Sequence, residues 1–363
     1  MMEVLILLVV VATVVIWIVQ RRKGSREPLD LTLAVVGFES SGKTVYIGSM
    51  FHELRVPGPS GVFIDTSPEN AGRLLSLFNT TADTDKKFPD STNKGELVEW
   101  PFTVKVKSAN VTEVGKFSYL DFAGESLRDL YAGSPNPETR RLYERFQGAD
   151  ILMAALDGFQ VKRFLENRPL PGFQNDLGTL LSLLSNHNKP VNLILTKWDI
   201  LEDHYTFRQV VERLLQINTF ANFVGSQRVL GTCRLIPVSS VGSGFVREVG
   251  DSMRKIPGKV INPVRVEVPI ACALPDALVS ERRRPDSPGR ARLLTWAKAM
   301  KLNLGLVQID LSSFGAASAT ITPGPNTPAA VSQLVRYCSG KVDRLEDEFP
   351  ESDLVRFLYR HGV

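Results

Sequence analysis

Cysteine is scarce: Cys233, Cys272 and Cys338 are the only three in 363 residues, and they lie far apart. That excludes a disulfide framework and leaves no zinc-ligand spacing. The four histidines (His52, His187, His204 and His361) are scattered, so no metal cluster can be read from them. A strong charge of one sign is missing too. The net charge is +4, but residues 1–26 hold Arg21, Arg22, Lys23 and Arg26 against Glu3, and the remainder carries 39 basic and 38 acidic residues. A body this close to neutral lacks the electrostatic footprint of a nucleic-acid binder, and no nucleic-acid partner is expected. No internal repeat is visible. With 43% hydrophobic and 23% charged residues the chain is not disordered, and its length suits one elaborated domain or two.

The one long apolar run is at the start. Val4–Val19 is sixteen residues without a charge, which at about 1.5 Å per residue comes near a hydrocarbon core ~30 Å thick. Trp17 lies near its exit and Arg21, Arg22 and Lys23 follow at once. A cationic cluster holds its side on the cytoplasmic face, so the reading is a single transmembrane helix over residues 1–20 with its N-terminus outside. A cleaved signal peptide would carry its charges before the run and a small-residue site after it, and neither is present. Residues 21–30 then form a short basic tether, so the bilayer is a partner and the rest of the chain sits on its cytoplasmic side.

Beyond the tether, apolar strand-like runs occur at Leu31–Val36, Leu97–Val106, Phe117–Leu120, Ile151–Leu156, Val191–Leu195 and Leu235–Val238. Helix-like stretches separate several of them: Gly42–Leu54, Thr139–Gln147, Gln174–Asn186 and Phe207–Phe220. Continuous apolar strands alternating with helices predict an α/β fold, a three-layer sandwich around a mainly parallel sheet. Leu97–Val106 and Phe117–Leu120 lie close enough to form an antiparallel hairpin at one edge. Pro57–Asn93 reads as a long, partly mobile insertion with a helical piece around Ala71–Phe78. The domain reading is 31–250, followed by a C-terminal extension over 251–363. Within that extension Pro263–Leu274 predicts a strand, Glu281–Gly289 an exposed loop and Thr322–Pro328 a linker. Val331, Leu334, Val335, Cys338, Val342 and Leu345 form an apolar stripe on one helix face.

Chemistry is carried by short motifs at strand ends. Gly37-Phe38-Glu39-Ser40-Ser41-Gly42-Lys43-Thr44 fits the phosphate-loop pattern, between a strand and a helix as that pattern requires. Its glycines let successive N–H groups face phosphate oxygens, and the helix presents its N-terminus to the same anion. Lys43 reaches the β- and γ-phosphates, and Thr44 offers a hydroxyl to Mg²⁺. The strand Phe117–Leu120 ends in Asp121-Phe122-Ala123-Gly124, where Asp121 would hold Mg²⁺ through water and the Gly124 N–H would meet the γ-phosphate. Thr196-Lys197-Trp198-Asp199 follows another strand. A carboxylate at Asp199 could accept from guanine N1 and N2, which adenine cannot supply, with the Lys197 stem along the base. Ser239 and Ser240 end a further strand, where backbone N–H groups could meet guanine O6. Trp198 is read as packing.

In this order the motifs resemble those of the Ras-like, translation-factor-related class of phosphate-loop GTPases, over roughly Leu31–Gly250. Two positions depart from that class: Thr196 stands for its usual asparagine, and Ser239-Ser240-Val241 for its Ser-Ala-Lys. An anchor placed directly before such a domain also resembles the β subunit of the signal recognition particle receptor and anchored GTPase-like proteins of bacteria. The resemblance implies GTP and GDP as ligands, Mg²⁺ as cofactor, and slow hydrolysis to GDP and phosphate. It implies a switch I threonine as a further metal ligand. Thr92 is the choice, with Thr80, Thr81 and Thr84 the alternatives. It also implies that Glu125 stands where the class commonly has a water-orienting glutamine, and there it sets negative charge beside an anionic phosphate. The function expected is thus a membrane-anchored switch recruiting an unidentified cytosolic effector or regulator. A stably GTP-bound scaffold is the alternative, and an ATPase or nucleotide kinase a third.

Overall fold

The computed structural model describes residues 29–90, 97–123, 137–168, 172–187, 189–229, 233–283, 302–303, 322–323 and 328–361. Val4–Val19, the tether to Pro28, Thr92, Gly124 and Glu125 lie outside the described residues. Among the described residues no helix is long and apolar enough to cross a membrane.

The chain runs β1 (Leu29–Val36), α1 (Lys43–Leu54), β2 (Val62–Asp65), α2 (Pro68–Ala82), β3 (Leu97–Lys107), β4 (Val111–Phe122), α3 (Pro137–Gly148) and β5 (Ile151–Asp157). It continues through α4 (Gly158–Leu165), α5 (Phe173–Ser185), β6 (Val191–Thr196), α6 (Phe207–Leu215), α7 (Asn218–Ser226) and β7 (Cys233–Pro237). A hairpin of β8 (Val246–Val249) and β9 (Ser252–Lys255) precedes α8 (Val268–Arg283), α9 (Ala329–Glu348) and α10 (Leu354–His361). Strands β1 to β7 form one sheet in the order β2-β3-β4-β1-β5-β6-β7. From β4 to β7 all neighbours are parallel. Their carboxyl ends therefore share one edge, which is where open α/β sheets bind ligands.

Alternation along β4 shows the three layers. Phe117 and Tyr119 pair in register with Leu31 and Leu33 of β1, and Tyr119 faces Tyr46 of α1 at 6.3 Å between ring centres. Phe122 points to the opposite face, as the two-residue period demands, and meets Phe146 of α3 edge-on at 5.9 Å. The core strands β5 and β6 are buried at almost every position, as strands covered on both faces must be.

Several expectations need correction. The hairpin β3–β4 is antiparallel, but it is not the edge, because β2 pairs antiparallel outside it. Pro57–Asn93 is therefore more than a mobile insertion. Val62 and Ile64 turn their side chains into the core, and α2 follows with Ser67 as N-cap and Pro68 in its first turn. Phe207–Phe220 is two helices, broken at Gln216 and Ile217, with a capping box between Thr206 and Gln209 starting the first. Pro263–Leu274 is no strand. From Val268 it is helix, and that helix reaches Arg283, into the stretch read as exposed loop. Val268, Ala271, Cys272, Ala273, Leu274, Asp276 and Ala277 are all buried, so burial nearly all round erases the 3.6-residue stripe that marks an exposed helix.

The stripe of α9 is buried as its spacing predicts, against β2, β3, β4 and α8. Each such aliphatic side chain contributes about 1.5–3 kcal/mol. At the opposite edge an ionic network joins four elements. Arg234 of β7 donates to Asp276 of α8 at 3.0 and 3.1 Å and to Glu346 of α9 at 2.8 Å. Arg356 of α10 shares Glu346 at 2.8 Å, and the Leu235 N–H donates to the Ser352 carbonyl. Arg234 is 3% exposed and Asp276 1%, so neither charge has water to fall back on.

Candidate functional site

A cavity of about 750 Å³ opens at the carboxyl edge of the sheet, a size suited to a small-molecule ligand. Residues Glu39–Val45 wall one end, and Thr196, Lys197, Asp199, Ser240 and Val241 the other. Three motifs separated by up to about two hundred residues thus meet in one space.

The phosphate-loop end is built by β1 delivering the chain to a turn that α1 then continues. Ser40 and Gly42 both have positive φ, 63° and 86°, and Gly42 adopts this at no steric cost. Lys43 bends back over the loop: its ammonium donates to the Gly37 carbonyl at 2.6 Å, the Phe38 carbonyl at 3.2 Å and Ser41 Oγ at 3.4 Å. Burial pulls its pKa below the ordinary lysine value, against the upward pull of Asp121 and Glu39. Thr44 lines the cavity in the first turn of α1. Asp121 is buried near the end of β4, close enough to act electrostatically on Lys43. Hydroxyl and carboxylate oxygens are the hard donors magnesium takes, so Thr44 and Asp121 fit that ion. Among the described residues no group of three or more His, Cys, Asp or Glu side chains could hold a metal by itself.

The other end is a rigid frame. Thr196 Oγ1 donates to the Ser41 carbonyl at 2.8 Å and lies 3.0 Å from the Leu156 carbonyl. This threonine thus ties the strand end of β6 to the phosphate loop. Lys197, at positive φ, donates to the Ser40 carbonyl at 2.8 Å and pairs with Asp157 at 2.7 Å. Asp199 accepts from Ser239 Oγ at 2.6 Å, and the Gly242 N–H donates to that same serine oxygen at 2.8 Å. Burial pushes the Asp199 carboxyl up to about 6, although the Ser239 hydrogen bond works the other way. Ser240 accepts at its carbonyl from Ser49 Oγ of α1 at 2.8 Å. Trp198 is buried and packs edge-on against Phe207 and Phe349, so it is core.

The structure therefore brings together Gly37, Ser40, Ser41, Gly42, Lys43, Thr44, Thr196, Lys197, Asp199, Ser239 and Ser240, with Asp121 beside the loop lysine. Of the alternatives for the switch threonine, Thr81 is buried inside α2 and bonds its own helix, while Thr84 accepts from the Gly258 N–H. Sequence reading missed Asp157, which caps α4 and holds Lys197. Its position at the end of a parallel strand was the available signal. It also missed Gly158, where a Cβ would overlap the Thr196 carbonyl, and the cavity walls at Phe88, Val246 and Met253.

Fold and site together define an α/β protein with a phosphate-loop turn at the carboxyl end of its first strand. No protein-family profile matches the chain, and no curated protein matches it. Solved structures similar to it include Sup35 complexed with GDP, at 13% identity and TM-score 0.29, over 60% of this chain and 38% of that one. The G domain of the T. maritima FeoB iron transporter aligns at 15% identity and TM-score 0.28, over 59% of this chain and 91% of that one. The S. cerevisiae Ski7 GTPase-like domain, bound to GDP and inorganic phosphate, aligns at 15% and 0.32, over 59% and 44%. This chain thus spans less than half of the Sup35 and Ski7 chains.

Proposed function

We propose that the protein binds guanine nucleotides and hydrolyses GTP slowly. One observation supports this above all: a single cavity has Lys43 and the phosphate loop at one end and the Asp199 carboxylate at the other, braced together by Thr196 and Lys197. A triphosphate laid between them would meet N–H groups and an ammonium at its anionic end. Its base would meet an acceptor that guanine N1 and N2 can satisfy and adenine cannot. Thr44 and Asp121 would hold magnesium, which neutralises charge on the β- and γ-phosphates when bound. In the sequence Glu125 follows Gly124 where the class the motifs resemble commonly has a glutamine, and a carboxylate in that role would disfavour fast turnover, because its charge would oppose that of the γ-phosphate.

The anchoring reading rests on Val4–Val19 and the basic cluster after it: the protein would be single-pass, with this domain on the cytoplasmic side. In that setting a GTP-dependent surface would recruit a cytosolic partner. The test is calorimetry on the full-length chain with Mg²⁺. Heat with GDP and none with ADP is expected. Equal binding of ADP and GDP would overturn the guanine assignment and favour an ATPase or kinase.

A further inference from the structure

The cavity has walls that belong to neither the phosphate loop nor the base-reading turns. Val246, Ser252 and Met253 come from the β8–β9 hairpin, which follows Ser239–Ser240 closely in the chain, and Phe88 comes from the segment after α2. Two four-residue strands are marginal by themselves in water, so something else must fix where this hairpin sits.

Charged groups do so on both flanks. On one side Glu248 accepts from Lys162 of α4 at 2.6 Å and from Arg163 at 3.3 Å, and Asp251 pairs with Arg163 at 2.8 Å. On the other, Lys255 reaches across to the carbonyls of Thr80 at 2.6 Å, Asp83 at 2.9 Å and Lys87 at 3.3 Å. Its ammonium also lies 4.8 Å from the centre of the Phe88 ring. Thr80 and Asp83 belong to the C-terminal end of α2, where carbonyls lack helical partners and a cation is electrostatically favoured. Lys255 thus ties the hairpin to the segment 83–88, with the Gly258 N–H donating to Thr84 just beyond it, and residues of both segments line the cavity.

We propose that the β8–β9 hairpin is a strap across the base end of the nucleotide, that Lys255 is its clasp, and that opening this clasp sets the rate of nucleotide release. This rests on the guanine-nucleotide reading above. Val246 and Met253 of the strap, with Phe88 of the segment it clasps, give the cavity apolar walls suited to purine and ribose rather than to phosphate. Lys255 acts through the segments it joins, so it is a positioning residue. It contacts neither Lys43 nor Asp199.

The experiment is dissociation of fluorescently labelled GDP from the full-length protein, chased with excess unlabelled GDP. Lys255→Met keeps the stem and removes the ammonium. Release should quicken about tenfold, as loss of a charge-assisted hydrogen-bond set implies, while association stays within about threefold. Lys255→Arg, which can reach the same carbonyls, should restore slow release. Glu248→Gln loosens the opposite flank and should also quicken it. An unchanged release rate in both Lys255→Met and Glu248→Gln, each with a wild-type melting curve, overturns the strap alone. If the wild type binds no labelled GDP, the nucleotide reading falls and the strap with it.

Discussion

Lowering the pH should weaken guanine binding through Asp199 in a way the structure specifies. The residue is 4% exposed, and burial raises its carboxyl pKa from 3.8 to about 6. Linkage fixes the sign. A carboxyl whose folded pKa lies above its unfolded value favours folding while protonated. As pH rises from about 4 to about 6 the folded state loses that advantage, which amounts to about 3 kcal/mol. A guanine accepts no such proton on its N1 and N2 edge: it donates there, so it needs the ionised carboxylate. Affinity for GDP should therefore be full above pH 7 and fall about tenfold by pH 5 through this group. The terminal phosphate of GDP titrates near pH 6 as well, so wild type alone would mislead. Asp199→Asn supplies the reference, since phosphate protonation affects both proteins alike. Calorimetry between pH 5 and pH 8 should show the wild-type to variant affinity ratio shrinking as pH falls. A ratio constant over that range would refute the assignment of this carboxylate to the base.

Two further predictions concern other parts of the frame. Thr196→Val removes a buried hydroxyl proton that ties β6 to the phosphate loop, leaving a carbonyl unsatisfied at about 1–3 kcal/mol. GDP affinity should drop about tenfold and survive in Thr196→Ser, measured by titration at neutral pH. Arg234→Met leaves Asp276 without its arginine in the interior, while Glu346 keeps Arg356, and should cost about 3–5 kcal/mol in urea unfolding. Pairing it with Asp276→Asn should recover part of that loss.

How much of this was legible in the sequence differs by element, for physical reasons. The strands β1, β5, β6 and β7 were plain, because burial on both faces writes itself as a predominantly apolar run, interrupted only singly as by Thr32 and Asn192. The phosphate loop was plain because its glycines and lysine are local in sequence. Its union with Thr196–Asp199 could be read only through the order of the motifs. The strand β2 was hidden: four residues among loop-forming neighbours leave too little alternation to register. The helix α8 was misread because Val266, Val268 and Ile270 are residues that favour strands, and tertiary packing overrode that preference. Nothing in the sequence links Lys255 to Thr80 or Arg234 to Glu346. Such pairings depend on where distant segments arrive, and a charge at one position does not announce its partner a hundred residues away.

The network around Arg234 has a practical consequence for anyone shortening the chain. A fragment stopped near residue 250, where the nucleotide motifs end, would keep the guanidinium in β7 and discard the acids of α8 and α9 that neutralise it. It would also uncover the apolar surface of β2, β3 and β4 on which α9 lies. Such a fragment would carry every residue the chemistry calls for and still fail to stay in solution, because the last third of the polypeptide completes the interior of the first two.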